Sequence, residues 1–164
     1  MQDANVFSKI KTWDEVSLWR ENLRKQNKKL VFTNGCFDIL HKGHVSYLIK
    51  ASQMGDALIL AINSDRSVRK LKGPSRPVTL EQDRAFIISC LEFIDAVVIF
   101  DSLRCDKLIQ LIEPDIYVKA GDYNLETLDP CEKKALVEAK SDICFIPFID
   151  GYSSTKIIDA INNN

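Results

Sequence analysis

Continuously apolar runs alternate along most of the chain with stretches whose apolar residues recur at helical spacing. The runs Leu30–Thr33, Ala57–Ile62, Ala96–Phe100, Ile116–Val118 and Ile143–Phe148 are short and rich in Val, Ile and Phe. That is the pattern of strands buried on both faces. Between them, Val45, Leu48, Ile49 and Ser52 share one face of a predicted helix that Gly55 ends. Thr79, with Gln82 three residues on, predicts a capping box for a second helix, with Phe86, Ile87 and Leu91 facing inward. Leu108, Ile109 and Ile112 mark a third helix, ended by Pro114. Asp129-Pro130 with Glu132 opens a fourth, and Ser153 opens a last one reaching about Ile161.

Strands alternating with helices require right-handed crossovers, and so predict a parallel sheet covered on both faces. The expected fold is α/β: a Rossmann-like, doubly wound, five-stranded parallel sheet with helices on both sides. Its ligand belongs beyond the carboxyl ends of the strands, where strand order reverses. Ahead of the first strand, Thr12 caps an amphipathic helix, Glu15 completes the capping box, and Val16, Trp19 and Leu23 lie on one side. Residues 1–28 are thus expected to be a helical extension packed on the sheet domain or on a partner. Residues 29–164 are expected to form the sheet domain itself.

Composition narrows the classes of function. The 164 residues are 46% apolar and 27% charged, enough for one domain with its own core. A net charge of -1 gives no bulk attraction for polyanions, so no nucleic-acid partner is expected. Arg69, Lys70, Lys72 and Arg76 form a local basic cluster, which suits a small anion. The five cysteines are scattered, with no C-x-x-C pair to suggest zinc or a redox dithiol, and fit a reducing compartment. Neither a signal-peptide stretch in Met1–Ile10 nor an unbroken apolar run of about 18 residues is present. The expectation is a soluble, cytoplasmic protein without membrane contact.

The densest chemical signal is Thr33-Asn34-Gly35-Cys36-Phe37-Asp38-Ile39-Leu40-His41-Lys42-Gly43-His44, between the first strand and the first helix. Two histidines three apart at a helix start lie close together, beside backbone N–H groups without intrahelical partners. Those donors and the helix dipole attract phosphate. Gly43 removes a side chain between the imidazoles, and Gly35 suits a tight turn. Polar surface histidines, or a shared metal, are the competing readings; no Cys or Glu stands nearby at ligand spacing. Val68–Val78 carries the basic cluster with Gly73, Pro74 and Pro77, and reads either as a loop closing over a phosphate or as a solvated loop. It follows Asn63-Ser64-Asp65 at a strand's carboxyl end. Gly151-Tyr152-Ser153-Ser154-Thr155-Lys156 starts the last helix and serves as a phosphate site or as a plain cap.

G-C-F-D-x-L-H-x-G-H resembles the signature of the cytidylyltransferase-like nucleotidyltransferase superfamily. The text from Val31 to His41 is similar to one branch, the bacterial adenylyltransferases that make ADP-heptose from heptose 1-phosphate for lipopolysaccharide core synthesis. Asn63–Asp65, Leu71–Val78, Val118–Tyr123 and Gly151–Thr155 resemble the same branch, so the likeness runs from about Trp13 to Ile161. The branch more often has two glycines where this chain has Ala120-Gly121. The resemblance implies the following roles. His41, His44 and Lys72 are catalytic. Thr33, Asn34, Gly35, Cys36, Phe37, Gly43, Lys119, Gly121, Asp122, Ser153, Ser154 and Thr155 bind the nucleotide. Asp38, Asn63, Asp65, Arg76 and Arg84 bind the sugar phosphate; the competing readings are a turn aspartate that bonds nearby N–H groups and, for Arg84, a surface ion pair.

What this implies is transfer of AMP from ATP to a sugar 1-phosphate, with release of pyrophosphate. A phosphomonoester with its second pKa near ~6 needs no general base to attack. Positioning and charge stabilisation then carry the rate. The expected cofactor is Mg²⁺ carried by the triphosphate, with no protein metal site. Homo-oligomers and a separate sugar kinase are expected partners. A cytidylyltransferase acting on glycerol 3-phosphate or a related alcohol phosphate is the nearest alternative. Its usual arginine before the serine-threonine motif is missing from Phe148-Ile149-Asp150-Gly151. An idle nucleotide-binding module would normally have lost a histidine or the basic loop. A fragment of a class I aminoacyl-tRNA synthetase would be longer, with a lysine-serine-lysine loop.

Overall fold

All five predicted strands form, and every neighbouring pair runs parallel in one sheet. The structure, a computed structural model, describes residues 3–121, 124–147 and 151–162. The strands are β2 (Leu30–Gly35), β3 (Ala57–Asn63), β4 (Ala96–Phe100), β5 (Ile116–Ala120) and β6 (Asp142–Ile146). A sixth, β1 (Ile10–Lys11), pairs Ile10 with Val97 at the sheet edge. Two residues are too few to show a period, which is why β1 left no trace in the pattern. The predicted end of the last strand, Phe148, lies outside the described residues.

The order β1-β4-β3-β2-β5-β6 reverses at β2, since the chain winds outward first through β3 and β4, then through β5 and β6. Successive β2 residues face opposite sides, as a strand's two-residue period requires. Leu30 and Phe32 join a core with α2 (Trp13–Lys25), α6 (Asp106–Ile112) and α7 (Pro130–Glu138). Val31 joins the other core, with α3 (Lys42–Ser52) and α5 (Glu81–Ser89). Fully burying such a side chain contributes roughly 1.5–3 kcal/mol. Both layers are therefore needed to hold β2 in the centre.

The N-terminal segment is α1 (Asp3–Lys9), β1 and then α2, with the Thr12–Glu15 capping box formed as expected. Val16 and Leu23 are buried against the sheet, and Trp19 packs partly on the same core. Helix α3 ends at Ser52, ahead of Gly55, where the chain passes Lys29 closely: a Cβ at Gly55 would stand 2.9 Å from the Lys29 carbonyl oxygen.

Two helix assignments change. The basic stretch is not all loop: α4 (Asp65–Lys72) is capped by the Ser64 side chain and ends at Gly73, whose φ is +98°. Helix α5 begins at Glu81 without a side-chain cap, because the Thr79 backbone is drawn away toward Asp38. Ala85 and Ile88 face inward, while Phe86 and Ile87 are exposed. A run of four apolar residues, Ala85 to Ile88, has no face that periodicity alone can choose. Phe86 instead meets Phe7 of α1, with ring centroids 5.3 Å apart.

Candidate active site

The carboxyl ends of β2 and β5 flank the reversal in strand order, where an open α/β sheet leaves a crevice. From β2 the chain enters a loop in which Phe37 and Ile39 hold left-handed φ values of 48° and 55°. Such backbone persists only when its surroundings over-determine it, and here Asp38 does so. Its buried carboxylate accepts hydrogen bonds from the Val78 N–H, the Thr79 N–H at 3.0 Å and Arg76 Nε at 2.6 Å. Its carbonyl oxygen accepts from the Ser154 hydroxyl at the start of α8 (Ser154–Asn162). One residue thus joins the β2–α3 loop, the loop after α4 and the first turn of the last helix. Burial on its own would raise the Asp38 carboxyl pKa, but the two N–H groups and Arg76 hold it below the ordinary carboxylate value.

His41 is the N-cap residue of α3 and His44 lies in its first turn. Their rings stack, with centroids 3.9 Å apart and planes 20° from parallel. Gly43 makes this possible, since a Cβ there would stand 3.0 Å from His41 Cε1 and 3.1 Å from Tyr152 Cβ. Burial, then the neighbouring His41, lowers the His44 pKa to about 4, with Asp38 pulling weakly the other way. Burial also lowers the His41 pKa. Both imidazoles are neutral at pH 7, so each has one N–H to donate and stacks without charge repulsion. Each keeps a buried Nδ1 without a hydrogen-bond partner.

These groups open onto a cavity of about 970 Å³. His41, His44 and Lys72 line it together with Asn34, Gly35, Cys36, Phe37, Gly43 and Lys119. Asp38, Asn63, Arg76, Ser153, Ser154 and Thr155 line it as well. Segments far apart in sequence therefore meet in one cleft. Its basic wall is Lys72 and Arg76; Arg76 turns Nε to Asp38, so the Nη end of the guanidinium is the part that can reach a ligand. Cys36 is half-buried, and burial raises its pKa against the opposing pull of Lys72, Arg84 and Arg76.

Four expected site residues stand behind the cavity wall. Thr33 is fully buried and its hydroxyl is bonded to the Tyr47 hydroxyl, which also donates to the Val118 carbonyl. Arg84 is buried, and donates to the carbonyls of Thr79, Cys36 and Asn63 and to the Asp65 carboxylate at 2.8 Å. Arg84 and Asp65 therefore form a buried ion pair rather than a surface one, and brace the loops from beneath. Gly121 is buried with its N–H on the Ile146 carbonyl. Asp122 lies outside the described residues. Asp38 stands at the wall with its carboxylate oxygens engaged by protein donors, and so orders the loops around it.

Other wall residues carried no sign of a site role in the sequence. Leu103, Arg104 and Glu126–Asp129 come from two loops after β4 and β5. Arg104 pairs with Asp129 at 2.8 Å. Glu132 reads in sequence as the acidic residue of a helix first turn. It folds inward instead, accepting from the Cys105 N–H at 3.1 Å. Tyr152 is the exception with a sequence position in a site motif; its ring lies 6.5 Å from that of His41.

No described helix is long and apolar enough to cross a membrane. Among the described residues, no group of three or more His, Cys, Asp or Glu side chains is placed to hold a metal ion.

The bifunctional protein HldE of Aliarcobacter butzleri is 45% identical over 166 residues, covering 100% of this chain and 33% of that protein. HldE of Syntrophotalea carbinolica is 48% identical, covering 94% of this chain and 31% of its own length. The chain thus spans about a third of the length of these relatives. A lipopolysaccharide core biosynthesis protein from Thermoplasma volcanium superposes with a TM-score of 0.63 at 27% identity, covering 75% of this chain and 99% of that one. Pantoate-beta-alanine ligase from Francisella tularensis, at 16% identity and TM-score 0.56, shares the fold over 93% of this chain and 76% of its own. The model of the cytidylyltransferase-like family matches residues 32–160, from the middle of β2 almost to the end of α8. The chain belongs to that family and is a nucleotidyltransferase of its kind.

Proposed function

We propose that the cleft transfers the adenylyl group of ATP to a sugar 1-phosphate, heptose 1-phosphate, giving ADP-heptose and pyrophosphate. The observation that carries this reading is the meeting of the neutral histidine pair, the Ser153–Thr155 turn and the Lys72–Arg76 wall in one cavity. The chemistry is in-line displacement at the α-phosphorus by a sugar phosphate oxygen; the bond to the bridging oxygen breaks and pyrophosphate departs. His41 and His44 donate N–H groups to the triphosphate as charge grows on that bridging oxygen. The Ser153 and Thr155 hydroxyls and the N–H groups at the start of α8 hold the phosphates, while the Ser154 hydroxyl stays on the Asp38 carbonyl and fixes that turn. Lys72 and Arg76 hold the sugar phosphate in line. Asn34, Gly35, Cys36, Phe37, Gly43 and Lys119 form the rest of the nucleotide side, and Asn63 the sugar side.

A Mg²⁺ ion carried by the triphosphate would supply neutralisation of its charge, with few protein carboxylates needed. The fit is one of donor chemistry: the Asp38 and Glu132 carboxylates are engaged by N–H, thiol and guanidinium donors and offer no cage. We place residues 29–164 as the catalytic domain and residues 1–28 as its extension. A sugar kinase supplies the substrate, and self-association completes the reading.

Pyrophosphate release tests it, measured with Mg²⁺, each nucleoside triphosphate in turn and a panel of sugar 1-phosphates. Release with ATP and heptose 1-phosphate is expected. Release only with CTP and glycerol 3-phosphate would overturn the adenylyl reading. Light scattering reads the oligomeric state in the same preparation.

A further inference from the structure

At the far wall of the cleft, β2, β5 and α7 bring four polar side chains into one chain of hydrogen bonds. Lys119 Nζ and the Tyr117 hydroxyl both lie 2.9 Å from Asn34 Oδ1. The Tyr117 hydroxyl is also 3.3 Å from Glu132 Oε2, and Lys119 Nζ is 3.7 Å from the same oxygen. The other Glu132 oxygen accepts the Cys105 N–H at 3.1 Å and faces the Cys105 thiol at 3.2 Å. Glu132 is 5% exposed and Tyr117 fully buried, while Asn34, Lys119 and Glu132 all reach the cavity wall.

The hydrogen count fixes how this chain is oriented. An ammonium only donates, so the Asn34 amide must turn its oxygen, and not its NH₂, toward Lys119. Burial holds the Tyr117 phenol protonated, and its single hydrogen faces two acceptors. That hydrogen is shared between Asn34 Oδ1 at 2.9 Å and the Glu132 carboxylate at 3.3 Å, and the same carboxylate draws Lys119 inward. A buried carboxylate without such donors would be costly, which keeps the four groups together. With Oδ1 committed to Lys119, the Nδ2 end of Asn34 is left as a fixed N–H donor at the carboxyl end of the central strand.

We infer that Glu132 is a positioning residue for nucleotide binding, acting through Lys119 and Tyr117 to lock the Asn34 amide with its NH₂ toward an acceptor atom of the nucleotide. This deepens the proposed function and rests on the cleft being a nucleotide site. Both Glu132 carboxylate oxygens are engaged by protein donors. Its distance in sequence from the signature motif hides the link, which exists only because β2 and β5 are neighbours.

Calorimetric titration with ATP and Mg²⁺, on the full chain, reads the inference without requiring turnover. Asn34→Asp keeps size and the bond to Lys119 but cannot donate, and should weaken ATP binding about ten-fold or more. Glu132→Gln sets an amide N–H against Lys119 and should weaken binding by about the same factor, with a larger effect on KM than on kcat. The doubly substituted chain should bind no more weakly than Asn34→Asp alone, because Glu132 then has no donor left to orient. Thermal unfolding separates this from a loss of structure. Equal and independent losses from the two substitutions would overturn the inference, as would wild-type affinity in Glu132→Gln. Absence of ATP binding by the unaltered chain would remove both the nucleotide reading and this inference.

Discussion

Arg76 Nε lies 2.6 Å from Asp38 Oδ2, in a pair whose side chains are 14% and 1% exposed. It ties the basic loop after α4 to the loop that leads into the histidines. The same carboxylate takes the Val78 and Thr79 N–H groups, so the charge is matched by three donors. Asp38→Asn would turn an NH₂ group against at least one of them. A loss of about 1–3 kcal/mol in unfolding free energy is expected, with faster proteolysis in residues 73–79. Denaturant melts and limited digestion measure both, and wild-type behaviour in each would refute the knot.

The histidine pair ties stability to pH. The folded His44 pKa of about 4 lies below its ordinary 6.5, so on acidification the unfolded chain takes up that proton first. Stability should fall as pH drops from about 6.5 to about 4, by up to about 3 kcal/mol from this residue. Asp38 acts only further down, since its lowered pKa keeps its contribution until still more acid conditions. In His44→Asn the slope between pH 6.5 and 4.5 should flatten while turnover falls by a large factor. An unchanged slope would show that His44 is not held neutral.

Arg84 should matter for stability before it matters for chemistry. Its loss in Arg84→Ala would strip donors from three carbonyls and leave Asp65 without its buried partner. Breaking a buried pair this way costs about 3–5 kcal/mol. Arg84→Lys restores the charge but not the fork of donors, and should recover only part. A melting temperature in Arg84→Ala equal to wild type would contradict this.

Gly43→Ala tests the stacked geometry. The new methyl would press on the His41 ring and on Tyr152 Cβ, and the ring is the softer neighbour. Activity should fall at least about ten-fold, since small misplacements at a reacting centre are costly. Circular dichroism should change little, because α3 gains helix propensity from alanine. Full activity would mean that the imidazole spacing has slack.

Much of the fold was legible because buried parallel strands are written as unbroken apolar runs. β4 matches its predicted range at both ends, and the other four strands lie within a few residues of theirs. The site was legible where local order makes it: His41, Gly43 and His44 belong to one helix start, and a spacing of three fixes their proximity. The depth of Arg84 was not legible because a charge in a sequence carries no depth; only the packing of α5 beneath the loops reveals that the guanidinium is enclosed. Glu132 was missed for the opposite reason, as its position next to Asp129 and Pro130 has an adequate local explanation at a helix start.

The sequence by itself determined the strand–helix alternation, the helix starts at His41 and Ser153, and the basic stretch between them. Those follow from neighbours along the chain, whose geometry a helix or strand dictates. Tertiary structure decided which side chains face the cleft and which stand behind it. It also decided the Asp38 knot and the Asn34–Glu132 chain. Such contacts join residues dozens of positions apart, and burial, rather than spacing, sets which atoms must find a partner.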